Sequence, residues 1–486
     1  MLMRNFLDKN KTINLSTKNI FSVDKFVVFI TFLLFFLVNF FVDFPKIVAQ
    51  NPEISTKTAS KTTTKKVFPT AFKFSSSKRK KWKTSFKLRS NLIILPFLLD
   101  NSKDTLNMVL DTGVGYTIIT DTSYVRKLNV SGKASIYVRG VMHKDTVKAY
   151  VSEKHHLYNS KITADNLRII VMASSLSDFS ELAGMHIHGI IGYDIFNSFA
   201  IKINYQALEV TFYRKDIFEP SKKYQTSLLS ILGRKPYISS VVRQETNVNG
   251  NVNGNINNQK NNNQKNSSKN DNKNDTIQLN LLIDTGSGQS LMLRKETSDL
   301  IVLPKKTFYT QLGTTISGKI YGNMGRIEIL KIGKYELKKL ITSYPDNPND
   351  SIFYDNNKFY NGSVGIDVLK QFISVIDYQN RKIYLKKTSE YNRKKDYIIS
   401  GLTIGRIAPY FEDVVVLEVQ ENSPAYRAGI KVDDEITVIN NQIVFKQTTN
   451  EIYGLLEGDD IFTVNLVIKR KNEGLLVISY KPIKIL

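Results

Sequence analysis

Cysteine is absent from this 486-residue chain, tryptophan occurs once and histidine five times. Without cysteine, the protein has no disulfides, no thiolate nucleophile, no cysteine-ligated metal and no lipid attached through a thiol. The absence leaves the cellular compartment open, because an exported protein need not contain disulfides. Hydrophobic residues make up 42% of the chain, which is sufficient for buried cores. A chain of this length is expected to form about three domains.

Acidic residues are scarce relative to basic ones: 44 Asp and Glu against 68 Lys and Arg give a formal net charge of +24. Such an excess raises nucleic acid or anionic lipid as a partner. Residues 51–90 hold 12 basic residues and one acidic residue, whereas 401–460 are close to balanced. A general compositional skew explains the charge equally well, so no nucleic-acid partner is expected. A basic surface protein that binds nucleic acid or lipid through 51–90 is the third hypothesis.

A charge-free apolar block occupies residues 26–42, FVVFITFLLFFLVNFFV, behind a basic stretch that ends at Lys25. This order is typical of export signals, so residues 1–50 are predicted to be an N-terminal export or anchor segment. The remainder is then exported across the cytoplasmic membrane, as a membrane-anchored, periplasmic or extracellular protein. Two outcomes remain open: cleavage after IVA at 47–49, or retention of 26–42 as a short membrane span. A buried core helix is a weaker interpretation, because the block has no polar face.

Two low-complexity stretches follow. Residues 51–90 mix Ser, Thr and Lys with little periodicity and are predicted to be a basic flexible stalk. The run KRKKWK at 78–83 is interpreted as a solvated linker, or as a contact with phosphates or anionic lipid with Trp82 at the interface. Residues 247–275, rich in Asn and almost free of hydrophobic residues, are predicted to be a disordered insertion. A hairpin tip tolerates such an insertion, because loop entropy grows slowly with length.

The chain contains an internal repeat. MVLDTGVGYT at 108–117 and LLIDTGSGQS at 281–290 share a short apolar run that ends in Asp-Thr-Gly. Downstream, GIIGYDIFNSFAIKINYQ and GSVGIDVLKQFISVIDYQ share a Gly-x-x-Gly-x-Asp frame, and 81 residues separate each motif aspartate from the second glycine of its frame. Both units are rich in short apolar runs bounded by Gly, Asn and Asp. The chain is therefore predicted to be all-β, with lobes over 91–215 and 216–392.

These motifs resemble those of the aspartic peptidases, and most closely the retropepsin-like bacterial aspartyl proteases. The resemblance covers residues 91–387, with the Asn-rich insertion excluded. It implies a two-lobed pepsin/retropepsin-like pseudo-dimer in which each lobe supplies one catalytic aspartate, Asp111 and Asp284. In that family the threonine of each motif interlocks the two loops, and the glycine admits backbone close to the carboxylates. The resemblance assigns loop support and core loops to these residues: Thr112, Gly113, Thr285, Gly286 and Ser287, and Gly192 and Gly365.

A pair of carboxylates explains why the motif must occur twice. Two carboxylates a hydrogen bond apart cannot both ionise, so they share one proton and titrate far apart. The ionised one can take a proton from water while the protonated one polarises the peptide carbonyl. Aspartic endopeptidase activity on a protein or peptide substrate is expected, and because both carboxylates lie in one chain, catalysis needs no homodimer. The alternative is a pair of turn carboxylates in a duplicated, non-catalytic binding module.

The residue after each motif differs between the two lobes. Ser287 carries a hydroxyl that can donate to a carboxylate, whereas Val114 cannot donate. We therefore hypothesise that Asp111 has the higher affinity for the shared proton.

Two further segments invite functional interpretations. The hairpin TTISGKIYGNMGRIEIL at 314–330, with Tyr321 near its tip, is a candidate flap, with a plain surface hairpin as an equal alternative. His186 and His188 would share one strand face, but no carboxylate pattern supports a metal site there. No metal and no other cofactor is predicted.

The last ninety residues have a different sequence pattern from the two lobes. The run VVVLEVQENSPAYRAGIKVDDEITVINN resembles the core of a bacterial PDZ domain, which is predicted over 395–486. PDZ domains bind extended peptides as an added strand and often hold a terminal carboxylate through backbone N–H groups. The resemblance places the groove strand within 411–419, and Asp433 stands where the family usually has glycine, at a position where Asp tolerates left-handed backbone. The domain is expected to recruit a peptide ligand or to regulate the lobes, with a purely structural appendage as the alternative.

These interpretations combine into one hypothesis: an exported aspartic endopeptidase, tethered to a membrane through 26–42, with a PDZ domain that recruits or regulates. The competing hypothesis is a non-catalytic extracytoplasmic protein that binds peptides in the PDZ groove.

Overall fold

The structure, a computed structural model, describes residues 72–486 apart from 132–133, 140–145, 175–176, 216, 245–275, 316–317, 347–359, 394–395 and 459–460. The predicted export segment 1–50 with its core 26–42, the first part of the predicted stalk and the insertion 247–275 lie outside the described residues. Within the described ranges, no helix is long and apolar enough to cross a membrane.

Lobe 1 is a sheet of short, mostly buried strands with the Asp-Thr-Gly turn at its centre. Apolar runs such as LIILPFLL at 92–99 are buried on both faces, which is why they lack a polar alternation. The lobe consists of β1 Phe72–Phe74, β2 Lys81–Ser85, β3 Lys87–Arg89, β4 Leu92–Leu99, β5 Leu106–Leu110, β6 Thr117–Ile119, β7 Ser135–Arg139, β8 Thr146–Tyr158, β9 Ile162–Met172, β10 Gly189–Ile191, β11 Ala200–Asn204 and β12 Glu209–Tyr213, with helices α1 Ser123–Lys127, α2 Ser177–Ala183 and α3 Tyr193–Phe196.

Lobe 2 repeats this design. Arg243 pairs with Thr276, so the residues between them connect the two strands of a hairpin. The lobe consists of β13 Gln225–Leu228, β14 Ser230–Leu232, β15 Lys235–Arg243, β16 Thr276–Ile283, β17 Leu291–Leu293, β18 Phe308–Thr315, β19 Gly318–Arg326, β20 Ile329–Ile332, β21 Tyr335–Lys338, β22 Ile341–Pro345, β23 Gly362–Val364, β24 Phe372–Asp377 and β25 Lys382–Lys387, with α4 Ile366–Leu369 and a 3-10 turn at Lys295–Thr297.

A third sheet joins the lobes, in the order β13-β25-β24-β11-β12-β2. Its central strands β11 and β24 are antiparallel and pair Lys202 with Val375. These two residues occupy the same position of the repeat, 173 residues apart, so the pseudo-twofold axis passes between them. On either side of this pair, Ile201 faces Ile376 and Ile203 faces Ser374, as a twofold relation requires.

The segment 72–90 differs from the predicted flexible stalk, because it forms β1, β2 and β3. Strand β1 pairs with β9, and β2 pairs with β12, where Trp82 lies opposite Phe212 and stacks on it with ring centroids 5.3 Å apart. Lys81 and Lys83 point to solvent at alternate positions of β2. Lys81 and Lys83 are therefore on the outward face of an edge strand, and Trp82, which is partly buried, packs against the core of the lobes.

The C-terminal domain forms a separate sheet in the order β27-β28-β29-β31-β32. The predicted groove strand is wrong, since β28 is paired on both sides, whereas β27 lies at an edge of the sheet. Asp433 adopts φ +70°, as predicted for the residue that replaces glycine. The domain consists of β26 Ile398–Ile399, β27 Leu402–Arg406, β28 Val414–Val419, β29 Glu435–Ile439, β30 Gln442–Ile443, β31 Val464–Arg470, β32 Gly474–Tyr480 and β33 Ile483–Lys484, with α5 Pro424–Arg427 and α6 Thr449–Glu457.

The predicted fold class is confirmed: the chain is mainly β-strand, with two lobes that share a connecting sheet and a small β-rich domain after them. One continuous apolar core runs through both lobes, and the C-terminal domain has a core of its own.

Phe212 is expected to be a principal stabilising residue of the connecting sheet. Its side chain is fully buried between Trp82 and Phe199. Phe212→Ala should lower the free energy of unfolding by about 3–5 kcal/mol, because it leaves a cavity in a close-packed core. Urea denaturation would measure this loss. The matched control is Leu228→Ala on β13 of the same sheet, where the side chain is 74% exposed and the change should be within about 0.5 kcal/mol. Equal effects would contradict this packing.

Candidate active site

The two Asp-Thr-Gly turns leave the ends of equivalent strands, β5 and β16. Each strand has a parallel partner, β10 beside β5 and β23 beside β16. The amide of Asp111 donates to Ile191 O and that of Asp284 donates to Val364 O, both at 3.0 Å. Parallel pairing therefore fixes each aspartate at the point where its strand ends, at the contact between the lobes.

Thr112 and Thr285 bond reciprocally across the contact between the lobes. The amide of Thr112 donates to Thr285 Oγ1 and the amide of Thr285 donates to Thr112 Oγ1, each at 3.0 Å. The Thr112 hydroxyl donates to Ile283 O at 2.6 Å, and the Thr285 hydroxyl donates to Leu110 O at 3.0 Å. Each turn thus completes the hydrogen bonding of the other, and neither is fully satisfied alone.

The core-loop glycines are required by close backbone approach. A Cβ on Gly192 would lie 1.9 Å from Val114 O, and one on Gly365 would lie 2.7 Å from Ser287 O. A Cβ on Gly286 would lie 2.2 Å from Asp111 Oδ2. The backbone of one lobe therefore lies directly against the carboxylate of the other.

The two carboxylates lie together in the interior. Asp111 is 5% exposed and Asp284 is fully buried. Gly113 N donates to Asp111 Oδ1 at 2.7 Å, and Gly286 N donates to Asp284 Oδ1 at 3.0 Å. Asp284 Oδ2 finds no donor among the described residues, and the side chain of Asp111 lies within hydrogen-bonding reach of that of Asp284. A hydrogen bond between two carboxylates exists only when one of them is protonated, so a pair this close is expected to share one proton.

The pKa values of Asp111 and Asp284 are both raised, and that of Asp284 is raised further. Burial raises the pKa of Asp111 to about 6 despite the Gly113 N–H, whereas burial and the Asp111 charge raise the pKa of Asp284 well above its usual range. These directions favour Asp284 as the holder of the shared proton, which is the opposite of the hypothesis drawn from Val114 and Ser287. Gly113 N–H and Gly286 N–H donate to the two carboxylates in the same way, and the Ser287 hydroxyl lies 2.9 Å from the Cβ position of Gly365.

Lys235 is the main residue that the motif analysis missed. Strands β15 and β16 are antiparallel and pair Tyr237 with Leu282. Extending this register by two residues places Lys235 opposite Asp284. The side chain is only 4% exposed. Burial lowers the pKa of Lys235 to about 7, while the charges of Asp111 and Asp284 act in the opposite direction. The same register in lobe 1 puts Leu92 opposite Asp111, so one lobe has an ammonium group where the other has a leucine.

Equivalent turns brace the site from both sides. Asn91 Nδ2 donates to Gly288 O at 3.2 Å, and Arg234 NH1 donates to Gly115 O at 3.3 Å. Gly115 and Gly288 occupy the same position of the repeat. Because Asn91 belongs to lobe 1 and Arg234 to lobe 2, each lobe holds the turn of the other. Aligning the hairpins upstream of the two motifs would have found this pair.

Tyr321 is not brought to the carboxylates. It lies on β19, where its ring stacks on Tyr309 with centroids 6.5 Å apart. It is 41% exposed, and the charge that acts on its hydroxyl is that of Glu418 in the C-terminal domain. The β18–β19 hairpin therefore faces the C-terminal domain at this residue.

The two histidines join a carboxylate that the sequence did not indicate. Ligand-capable atoms of Asp121, His186 and His188 lie within 4.8 Å of one another. Asn107 N donates to His188 Nδ1 at 3.1 Å, so the neutral ring carries its proton on Nε2. Burial lowers the pKa of His188 to about 4, which keeps the ring neutral. In this tautomer the Nδ1 lone pair of His188 accepts from the Asn107 amide and Nε2 carries a proton, so His188 takes part in the cluster through hydrogen bonds.

Comparisons with known proteins identify the C-terminal domain. The PDZ domain family profile matches residues 415–470, so this part of the chain is a PDZ domain, as predicted. A 75-residue stretch is 29% identical to Rho GTPase-activating protein 23 of Mus musculus; it is 15% of this chain and spans 5% of that protein.

Solved structures similar to this chain include proteases. An aspartic proteinase from Irpex lacteus is 12% identical and superposes with a TM-score of 0.37 over 64% of this chain and 98% of its own. The photosystem II D1 C-terminal processing protease is 22% identical, with a TM-score of 0.18 over 19% of this chain and 26% of its own. Both TM-scores are low, so these similarities do not identify the chemistry of the site.

The raised pKa of Asp111 predicts a loss of stability with rising pH. Between pH 4 and 6 the folded state keeps a proton that the unfolded state has released, so this contribution is complete below about pH 3.8 and is lost through about pH 6. The free energy of unfolding should fall by on the order of 2–3 kcal/mol over this range, and Asp111→Asn should flatten the fall. Denaturant titrations at several pH values would measure it. Asp165→Asn is the control, because that exposed carboxylate has a lowered pKa; an unchanged slope in Asp111→Asn would contradict the assignment.

Proposed function

We propose that this protein is an aspartic endopeptidase with both catalytic carboxylates in one chain, of the retropepsin-like type. The observation that carries the proposal is the carboxylate pair of Asp111 and Asp284, which is buried between reciprocally bonded turns. Turn carboxylates of a binding module need neither to meet nor to be sealed from solvent. The wider similarity to an aspartic proteinase agrees with the proposal but does not carry it.

The asymmetry of the pair assigns the two roles. Asp111, ionised at neutral pH, is the base that takes a proton from the attacking water. Asp284, protonated, donates to the carbonyl oxygen of the scissile bond and so stabilises the charge that develops there. Asp111 passes the proton it has taken to the departing amine nitrogen, and a hydroxyl of the tetrahedral intermediate returns a proton to Asp284 as the C–N bond breaks. The elements of water are thereby divided between the two fragments, and both carboxylates regain their starting protonation states.

Lys235 balances the charge of the pair. Two carboxylates with one proton carry a single negative charge, and the buried ammonium group opposite Asp284 neutralises it. Its positive charge lowers the pKa of both aspartates, which favours the ionised base. Lys235 is therefore a positioning residue that sets the pH at which Asp111 becomes available.

The near-complete burial of the carboxylates means that the lobes must open to admit a peptide. Protein or peptide chains are the proposed substrates, and the PDZ domain is the proposed site of recruitment or regulation. We also propose export across the cytoplasmic membrane, with residues 26–42 as the leader or anchor. A non-catalytic extracytoplasmic peptide-binding protein is the competing function, and the first experiment below separates the two.

Removing either carboxylate should abolish peptide cleavage. Asp284→Asn keeps the shape of the side chain but supplies no acid, and Asp111→Asn supplies no base. Each should lower kcat by at least about a thousandfold, as expected for loss of a required acid or base. A quenched peptide library incubated with the full chain between pH 4 and 8 would measure this, with Asp165→Asn as the exposed control. Absence of cleavage by the wild type at every pH would favour the binding protein.

Lys235→Met should move the acidic limb of the pH–rate profile toward higher pH, by about one unit. The ammonium group lowers the pKa of Asp111, so its removal delays ionisation of the base. The measured quantity is kcat/KM from pH 4 to 8. The matched control is Leu92→Met, the same new side chain at the equivalent position of lobe 1, which should leave the limb in place. A limb that stays or moves toward lower pH in Lys235→Met would overturn this role.

A further inference from the structure

The groove side of the PDZ domain is covered by lobe 1. Strand β27 is the edge of its sheet, yet all five of its residues are buried. Helix α2 of lobe 1 lies over this edge: Glu181 O is 3.3 Å from the Cβ position of Gly405. The Cβ position of Gly184, just after α2, is 3.1 Å from Arg406 Cδ and 3.2 Å from the hydroxyl of Thr449. Thr449 begins α6, so this segment lies between the edge strand and the helix of the PDZ domain.

The groups that would receive a peptide already have partners. Ile404 N, on β27, donates to the Tyr453 hydroxyl of α6 at 3.3 Å. In the loop before β27, Ser400 N and the Ser400 hydroxyl donate to Glu457 Oε1 at 2.9 and 2.8 Å. PDZ domains hold a ligand's terminal carboxylate with backbone N–H groups of this kind. Glu457, at the end of α6, supplies a carboxylate from within the chain.

We propose that the PDZ groove is occupied in cis by residues 180–184, named here the groove plug, with Glu457 in the position of a ligand carboxylate. An extended peptide with a free C-terminal carboxylate binds this groove only after the plug leaves. The PDZ domain thus acts as a latch: it binds lobe 1 through the groove plug, and it binds a partner peptide only after this contact is released.

The plug is a defined structural unit. Ser180, Glu181, Leu182 and Ala183 are all buried. Gly184 ends the helix at φ +64°, its amide donates to Glu181 O at 3.1 Å, and the next amide donates to Ser180 O. From lobe 1, the Ser90 hydroxyl donates to Leu182 O at 2.5 Å. The contact is therefore ordered at both ends, by Ser90 in lobe 1 and by Arg406 and Thr449 in the PDZ domain.

The latch reaches the active site through the chain itself. Beyond the plug, a few residues lead into β10 and Gly192, which lies against the carbonyl of Val114 in the Asp111 turn. The same PDZ domain is bound to lobe 2, where Lys319 Nζ is 2.8 Å from Glu418 Oε2 and Arg326 NH2 donates to Leu486 O at 3.1 Å. The domain therefore bridges the two lobes across sealed carboxylates. Release of the plug would free the PDZ domain from lobe 1 and so allow the two lobes to separate around the carboxylates. This effect on catalysis rests on the proposed function.

A reversible crosslink tests the latch. Because the chain has no cysteine, the double variant Gly184→Cys with Thr449→Cys can form one disulfide, and the 3.2 Å approach at this point suits its geometry. The probe is a fluorescein-labelled peptide of residues 177–184, SDFSELAG, with a free carboxylate. Binding is measured by anisotropy, and hydrogen exchange of residues 402–406 is measured in parallel. The single cysteine variants, treated identically, are the controls.

The oxidised double variant should bind the probe at least about tenfold more weakly than the same protein after reduction, because the open state is removed. Exchange at 402–406 should slow on oxidation. Failure of the crosslink to form while both thiols react with a small reagent would overturn the proposal, as would equal exchange in the two forms.

Ser90→Ala provides a test without cysteine. Loss of the bond to Leu182 O should raise the population of the open groove and tighten probe binding about fivefold. Ser102→Ala, which removes an exposed hydroxyl that accepts from Asp104 N, is the control. Probe affinity unchanged by Ser90→Ala would contradict the proposal. Neither probe binding nor hydrogen exchange depends on peptide cleavage, so a failure of the latch proposal can be distinguished from a failure of the proposed function. If both proposals hold, the probe should not change the rate of peptide cleavage by the oxidised double variant.

Discussion

The structure depends on one constraint: two buried carboxylates must approach within reach of a single proton. Such a pair is unstable unless the backbone holds it, because each charge disfavours the other and burial disfavours both. The reciprocal bonds of Thr112 and Thr285 provide the restraint, since each turn is satisfied only by the other. The parallel strand partners, the core-loop glycines and the connecting sheet all position these two turns.

The repeat is symmetric in backbone and asymmetric in chemistry. Equivalent strands, turns and glycines surround Asp111 and Asp284, but the residue opposite the first is Leu92 and the residue opposite the second is Lys235. Two carboxylates, one shared proton and one ammonium group sum to zero charge, which is the condition under which a dry interior tolerates ionised groups best. A single difference between the two duplicated hairpins thus gives the carboxylate pair a neutralising charge on one side only.

The sequence predicts those features of the site that depend on the spacing of motifs along the chain. The repeated motif and its equal spacing predicted the two lobes and the pairing of Asp111 with Asp284. Lys235 was missed because its place opposite Asp284 follows from a strand register interrupted by the Asn-rich insertion. The stalk prediction fails at 72–90 because β9 and β12, the partners of β1 and β2, lie far along the chain. Likewise, whether β27 or β28 forms the edge of the PDZ sheet is a property of the assembled sheet, and no local pattern encodes it.

The pair Lys202 and Val375 at the centre of the connecting sheet bears on how such a molecule can be built. Two copies of lobe 1 joined by the same twofold relation would place two Lys202 side chains opposite each other, where like charges repel. Two copies of lobe 2 would have valine there and meet no such repulsion. The fused chain pairs one of each, so the lobe 1 strand does not have to pair with a copy of itself, as it would in a symmetric dimer. Fusion has therefore removed a requirement for symmetry, and the two halves have been free to diverge at the seam as they have beside the carboxylates.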